Sequence, residues 1–395
     1  MRIGINLLYL LPGDIAGAET YIRNLLSGLA RVDSANQYFL FTNRYNHDTF
    51  HLADRRFQRV LCSVAARPQI RRVAFEQLIL PRLASYYRLD VLHSPAYTAP
   101  LFTPCSNVVS ILDMLYRVYP GIIPQPKRLY WQIFVPLSAR RCHVVLTITE
   151  NSRRDIVYYL RVPTDKVVVS HLAVDERLVE RHRALQSLEA QSRVCYKPMP
   201  KGPYVFTLAN TFKDHKNILG LLIAFKMLRS RLPEINLVVG GKSGLEPETR
   251  QAIKEHNLIG SVLLPGYLSI DEMVWLYTNA AAYVIPSLFE GFGLPALEAM
   301  YFGVPVGSSN AGSLPEVVGD AGVLFDPKDT ADMAESLYRV LTDKLLRADL
   351  IQRGRRRVSQ FSWNHTALKT LAGYELAVNR KRRSVKQEKQ LETEE

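Results

Sequence analysis

Cysteine is scarce in this chain, long uncharged apolar runs are missing, and acidic residues are thin in its first half. The four cysteines of 395 residues, Cys62, Cys105, Cys142 and Cys195, stand tens of residues apart with no C-x-x-C pair. Such spacing speaks against a disulfide framework or a zinc site and for a reducing compartment. No apolar run approaches the ~18 residues of a membrane-spanning helix. The best candidate, Leu129 to Ala139, contains Gln132 and Pro136 and is followed by Arg140 and Arg141. At the N-terminus, Ile3 to Leu11 ahead of Ala16-Gly17-Ala18 imitates a signal peptide, but Gly4 and Asn6 interrupt it. It reads as a buried strand running into a glycine loop, in a cytosolic protein. Apolar residues at 47% and charged ones at 22% exclude a disordered or collagen-like chain.

The net charge of +13 is concentrated at one end. Residues 1–200 hold 26 Lys and Arg against 15 Asp and Glu; the rest hold 24 against 22. The basic half is expected to meet an anionic partner, either a phosphorylated substrate or an acidic membrane surface. Arg67, Arg71, Arg72, Arg82 and Arg88 alternate with Phe75, Leu78, Ile79, Leu80, Leu83, Tyr86 and Tyr87. That mixture suits a basic-rimmed amphipathic helix lying on anionic lipid, and equally a surface helix packed on its own domain. No nucleic-acid-binding signature accompanies the charge, so nucleic acid is not an expected partner.

Short Val, Ile and Leu runs alternate with helical patterns from end to end. Strands are predicted over 3–8, 38–42, 91–93, 108–112 and 144–148, then over 204–208, 236–239, 262–264, 282–285 and 304–306. Buried runs separated by helices indicate parallel sheets, and two successive sets indicate two doubly wound α/β domains. The expected division is 1–183, a linker over 184–203 that contains Pro198, Pro200 and Pro203, and 204–362. A helix over 363–379 should pack back toward the first domain, and the charged tail 380–395 should be frayed. Ligands of such sheets bind beyond the carboxyl ends of the strands, so functional residues belong in loops just after strands.

One segment concentrates the chemistry. Tyr283-Val-Ile-Pro-Ser287 leads into Glu290-Gly-Phe-Gly-Leu-Pro-Ala-Leu-Glu298. This reads as a strand end, a glycine turn, and a helix opened by Pro295 at its first position with Glu298 in its first turn. Gly291 and Gly293 let backbone approach a ligand, and free N–H groups at a helix start favour phosphate. Two carboxylates eight residues apart can each accept both hydrogens of a vicinal diol. Taken singly, Glu298 would be a dipole-favoured helical acid and Glu290 a solvated loop charge.

With the following Gly303-Val-Pro-Val306 strand and the Leu314-Pro-Glu316 turn, the segment resembles the retaining nucleotide-sugar glycosyltransferases of family four, with their E-x7-E signature and two-domain GT-B fold. The resemblance covers nearly the whole chain and is densest from Gly266 to Pro327. It implies two Rossmann-like domains facing across a cleft, with Glu290 on the donor sugar, Glu298 on the nucleotide ribose, and the backbone of Gly291, Phe292, Gly293 and Leu294 on sugar and diphosphate. Within Asn210-Thr-Phe-Lys-Asp-His-Lys-Asn217 it implies that Lys216, with Lys213 as a poorer match, neutralises the diphosphate. Gly241 and Leu268 match nucleotide-side positions, and Gly13 and Gly17 match the glycine loop beneath the donor phosphate. Alternatively, Glu19 or Thr20 caps and charges a helix there. His93 matches a strand end at the cleft rim.

The resemblance fails at Leu112, where the family has a histidine that reaches the donor sugar near its sixth carbon. The donor then lacks a 6-hydroxyl, or transfer is lost and the chain is a non-catalytic nucleotide-sugar binder. The family mechanism needs no metal and no cofactor beyond the donor, and no Asp-x-Asp metal-binding pair occurs. The expected activity is retaining transfer of a sugar from a nucleoside diphosphate to a sugar or lipid-linked glycan in surface-polysaccharide or glycolipid assembly.

Overall fold

The computed structural model describes residues 1–13, 16–50, 52–67, 69–187, 200–209, 214–241 and 247–394. The chain forms two units, Met1–Leu172 with Trp363–Glu395, and Ala173–Ser362. The expected boundary at 183 is therefore corrected to 172. The helix Glu176–Ser187 belongs to the second unit because Leu178 joins the core around Phe206 and Tyr277, and Arg181 pairs with Asp271. Residues 188–199 of the expected linker lie outside the described residues.

The first unit is built on β1 (Arg2–Asn6), β2 (Gln37–Thr42), β3 (Phe57–Leu61), β4 (Val91–Ser94), β5 (Ser106–Ser110), β6 (Val144–Thr147) and β7 (Val167–Val169). These strands run parallel in the order β3-β2-β1-β4-β5-β6-β7. The winding direction reverses between β1 and β4, so their carboxyl ends splay apart and leave a crevice for a ligand. The loop after β1 is tied down there: Asn43 donates to the carbonyls of Leu8 and Leu10, and Asn46 to those of Leu7 and Leu10.

The C-terminal helix, Trp363–Glu394, belongs to this unit and packs on the helix Ala16–Val32. Their approach is close: a Cβ at Gly28 would stand 2.5 Å from the Trp363 carbonyl oxygen. The tail expected to be frayed is helical to Glu394, and its first residues are held by an Arg380–Asp165 ion pair and a Lys381 bond to the Pro104 carbonyl.

The second unit repeats the plan with β8 (Tyr204–Leu208), β9 (Asn236–Gly240), β10 (Val262–Gly266), β11 (Ala282–Ile285), β12 (Val306–Ser309) and β13 (Gly322–Phe325), parallel in the order β10-β9-β8-β11-β12-β13. Alternate side chains feed two cores, as a sheet covered on both faces requires. Val205, Leu237 and Val284 pack under the helices Ile218–Arg231 and Thr330–Thr342, while Phe206, Val238 and Tyr283 pack under Ile270–Asn279 and Leu294–Tyr301. The reversal here lies between β8 and β11.

Candidate active site

Three loops beyond the carboxyl ends of β8, β11 and β12 converge on Glu290. The Leu288 amide donates to the His215 carbonyl (2.7 Å), joining the first two loops. Asn217, in a left-handed conformation at φ 53°, donates to the carbonyls of Pro286 (3.1 Å) and Pro327 (2.6 Å). From the third loop the Ser313 amide reaches the Glu290 carbonyl at 3.1 Å. Gly312 approaches so closely that a Cβ there would stand 2.8 and 2.9 Å from the Glu290 carbonyl oxygen and amide nitrogen, and its φ of +60° also favours glycine.

The Glu290 side chain is held through one oxygen. Lys216 Nζ donates to Oε1 at 2.6 Å and Ser287 Oγ to the same atom at 2.7 Å. Among the described residues Oε2 has no protein partner, so it is open to a ligand's hydroxyl. Burial pushes the carboxyl up, but the Lys216 ammonium, with its hydrogen bond and that of Ser287, outweighs this and holds it below the ordinary carboxylate range.

Glu298 behaves oppositely. It is the fifth residue of the helix Leu294–Tyr301, so it lies beyond the first turn expected for it, and Pro295 is second rather than first. It is 6% exposed, and Tyr277 Oη donates to Oε2 at 2.9 Å. Burial first, then the nearby Asp175 charge, pushes its carboxyl up to about 7 against the pull of Tyr277 and Arg177. Between the two acids Gly293 turns the chain at φ 96°, and Phe292 is buried against Phe361. The Leu294 amide follows at the helix start with no side-chain cap to occupy it.

The remaining predicted residues divide. Gly241, at φ 108°, donates its amide to the Gly266 carbonyl at 2.8 Å. The Leu268 side chain is buried in the core over Gly240, while the neighbouring Tyr267 is exposed. Lys213 lies outside the described residues.

In the first unit, the amide of Gly13 donates to Glu19 Oε2 (2.8 Å), and Arg23 holds the other oxygen, so Glu19 clamps the glycine loop. Gly17 is exposed in the first turn of the helix that follows. Leu112 is half-buried just beyond β5. His93 is corrected from the rim to the interior. It is fully buried, with Nδ1 2.8 Å from Tyr374 Oη and Nε2 2.7 Å from Ser110 Oγ. Burial drives its imidazole down to about 3, so it stays neutral and ties β4 to the C-terminal helix. Ser287, Asn217, Gly312 and Tyr277 were not legible as site residues; Asn217, Gly312 and Tyr277 act through partners distant in sequence, and Ser287 through Glu290 three residues on. Among the described residues, no three His, Cys, Asp or Glu side chains group as metal ligands.

Two doubly wound units, with a lysine-held glutamate and a glycine–helix turn at the second unit's switch point, define a two-domain glycosyltransferase of the GT-B type. The profile described as Glycosyl transferases group 1 matches residues 197–357, and that of Glycosyltransferase Family 4 matches residues 15–178. An Escherichia coli relative, the O-antigen chain mannosyltransferase B, is 31% identical over 309 residues, which are 76% of this chain and 79% of the relative. Among solved structures, sucrose-phosphate synthase of Thermosynechococcus elongatus is 19% identical with a TM-score of 0.73, over 95% of this chain and 98% of that one. Anabaena HepE in complex with UDP and glucose is 17% identical with a TM-score of 0.68, over 94% and 98%. The chain belongs to glycosyltransferase family four.

The raised Glu298 carboxyl makes stability depend on pH. Its folded value of about 7 exceeds the ordinary 4.5, so its contribution is full below pH 4.5 and is lost as pH rises through 7. Glu298→Gln should flatten that slope and make the protein about 3 kcal/mol more stable than wild type at pH 8. Denaturant unfolding across the range checks this; parallel curves for the two proteins would contradict it.

Proposed function

We propose that the chain moves a hexose, of the mannose type for which its E. coli relative is named, from a nucleoside diphosphate to a saccharide hydroxyl with retention and without a metal. The observation that carries this reading is Glu290, whose Oε1 is anchored by Lys216 and Ser287 while Oε2 is left open. The open oxygen accepts from a donor-sugar hydroxyl. Lys216 has further N–H donors for the diphosphate, beside the amides at the start of the helix Leu294–Tyr301. Glu298, when ionised, accepts from the ribose hydroxyls.

In the transfer, the bond from the sugar's anomeric carbon to the phosphate oxygen breaks and the acceptor oxygen bonds to that carbon on the same face. The acceptor's proton passes to the departing phosphate oxygen, so no side chain serves as base. The charge that develops on the diphosphate meets the Lys216 ammonium, already fixed in place. The test is a thermal-shift panel of nucleoside-diphosphate sugars followed by transfer assays. A mannose donor should raise the melting temperature and yield a retained-configuration product in EDTA. Stabilisation by 6-deoxyhexose donors alone would overturn the mannose assignment, and loss of transfer in EDTA would overturn metal independence.

The second part of the proposal is that the first unit docks peripherally on an anionic bilayer, on the cytoplasmic side, where the buried free thiols Cys62, Cys105 and Cys142 would stay reduced. No helix among the described residues is long and apolar enough to cross a membrane. The helices Gln69–Leu78 and Gln125–Arg141 flank one segment, since the Ala99 carbonyl accepts from both Gln77 (3.2 Å) and Ser138 (3.3 Å). Ile70, Leu78, Leu129 and Ile133 are exposed on these helices and Phe102 on the loop before β5, and Arg141 lies over the Phe102 ring. Buried Glu76 is the only acid in residues 55–89, and residues 114–149 contain none. The face therefore joins apolar side chains to unopposed positive charge, the complement of anionic lipid. The protein should float with phosphatidylcholine vesicles containing phosphatidylglycerol, and less so as salt rises; Leu129→Glu with Ile133→Glu should abolish flotation. Equal partition with pure phosphatidylcholine would contradict the docking.

A further inference from the structure

Three consecutive residues ahead of the helix Ile218–Arg231 each bond the loop that carries Glu290. The His215 carbonyl accepts from the Leu288 amide at 2.7 Å, Lys216 Nζ donates to Glu290 Oε1 at 2.6 Å, and Asn217 Nδ2 donates to the Pro286 carbonyl at 3.1 Å. The same Asn217 nitrogen donates to the Pro327 carbonyl at 2.6 Å, in the loop after β13. A carboxamide nitrogen has two hydrogens, enough for both bonds. The Asn217 side chain plays no part in the mechanism above.

The local structure around Asn217 is unfavourable in three ways, and one role accounts for all of them. Asn217 occupies the N-cap of the helix in a left-handed conformation, φ 53° and ψ 39°, which costs any residue but glycine. An N-cap asparagine ordinarily accepts from an amide of the helix's first turn, yet this side chain makes no cap bond. Gly220, third in the helix, weakens it relative to alanine. A Cβ at Gly220 would stand 2.4 Å from Asn217 Oδ1, 2.9 Å from its Cγ and 3.0 Å from its Nδ2. The carboxamide therefore sits directly on Gly220, with its nitrogen turned to the two proline carbonyls and away from its own helix. A residue that merely started the helix would cap it and would tolerate alanine at 220. Strain of this kind persists where the surroundings over-determine a conformation.

We propose that Asn217, seated on Gly220, is a positioning residue: it fixes the Lys216 backbone so that the ammonium stands at Glu290 before charge develops on the leaving diphosphate. Lysine carries its charge on a flexible four-carbon stem, so the ammonium is preorganised only if the backbone beneath it is held. The Asn217 bonds supply that hold one residue away, by tying the chain to two separate loops. The inference rests on the glycosyl-transfer reading and adds the device that preorganises its cation. No covalent step takes place on Asn217, which acts through its neighbour. A cation fixed in advance contributes most in the transition state, so the loss of this hold belongs in kcat more than in donor KM.

The test uses Gly220→Ala and Asn217→Gly in the full chain, each alone and combined with Lys216→Met. Alanine favours the helix while displacing the carboxamide, and glycine keeps the left-handed turn while deleting it, so both variants should fold. Transfer is measured with the donor, GDP-mannose or UDP-glucose, and the acceptor, methyl α-mannoside or mannobiose, that the wild type uses fastest. The expected result is a kcat lowered about tenfold in each variant, a donor KM changed less than about threefold, and a melting temperature in Gly220→Ala no lower than that of wild type. Combined with Lys216→Met, the same changes should cost little more, because the group they position is gone. A second readout needs no turnover: the Nζ resonance of Lys216, assigned by its loss in Lys216→Met, should be sharp in wild type and broadened by exchange with water in both variants. Wild-type kcat and a wild-type Lys216 resonance in Gly220→Ala would overturn the proposal, and so would losses that multiply fully with that of Lys216→Met. A wild type that used no nucleotide sugar, but whose Lys216 resonance broadened in the variants as expected, would strike the glycosyl-transfer reading and leave the positioning of Lys216 standing.

Discussion

A carboxylate drawn out of water at the end of a parallel sheet must find compensation, and Glu290 finds it in Lys216. The ammonium and the Ser287 hydroxyl meet one oxygen at 2.6 and 2.7 Å, which outweighs the desolvation of the acid and keeps it ionised. The pair also fixes the loops. Lys216 comes from the turn after β8 and Glu290 from the turn after β11, on either side of the strand reversal, so the bond spans the gap in which a ligand of such a sheet binds. Gly312 closes the arrangement from the β12 side by admitting no side chain between its loop and the Glu290 backbone.

Glu298 shows the same physics with the opposite sign. It has a tyrosine for a partner and Asp175 for a neighbour, so burial prevails and its carboxyl rises to about 7. Two glutamates eight residues apart thus differ in charge state near neutrality. One is an anion locked to a lysine; the other gains or loses a proton near neutral pH. The first unit carries a third variation in Glu76, paired with Arg72 and Asn6 at the end of β1.

The motif from Glu290 to Glu298 was legible because its elements are local: a strand, two glycines, a proline and two acids at fixed spacing. Lys216 was legible through the same kind of short pattern, and ten of the thirteen strands through their apolar runs. The missed strands β3, β7 and β13 are sheet edges, where side chains are only partly buried, so Gln58 and Arg59 dilute β3 and three valines alone make β7. His93 lay at the predicted strand end, but its burial depends on Tyr374, 281 residues away. Gly312 and Tyr277 act on site residues about 20 positions away, and Asn217 on carbonyls 69 and 110 positions away, which no local spacing records. The unit boundary moved for a similar reason: most of the helix Glu176–Ser187 reads as the end of the first domain until Leu178 and Arg181 meet the second unit's core and Asp271.

The most direct measurement is a double-mutant cycle between Lys216→Met and Glu290→Gln, read as kcat/KM for sugar transfer. If the two side chains act as one anchored unit, each single change should lower kcat/KM by about 100-fold or more, and the double mutant should fall little further. Fully multiplicative losses, or single variants with wild-type turnover, would contradict the claim that the pair organises the donor site.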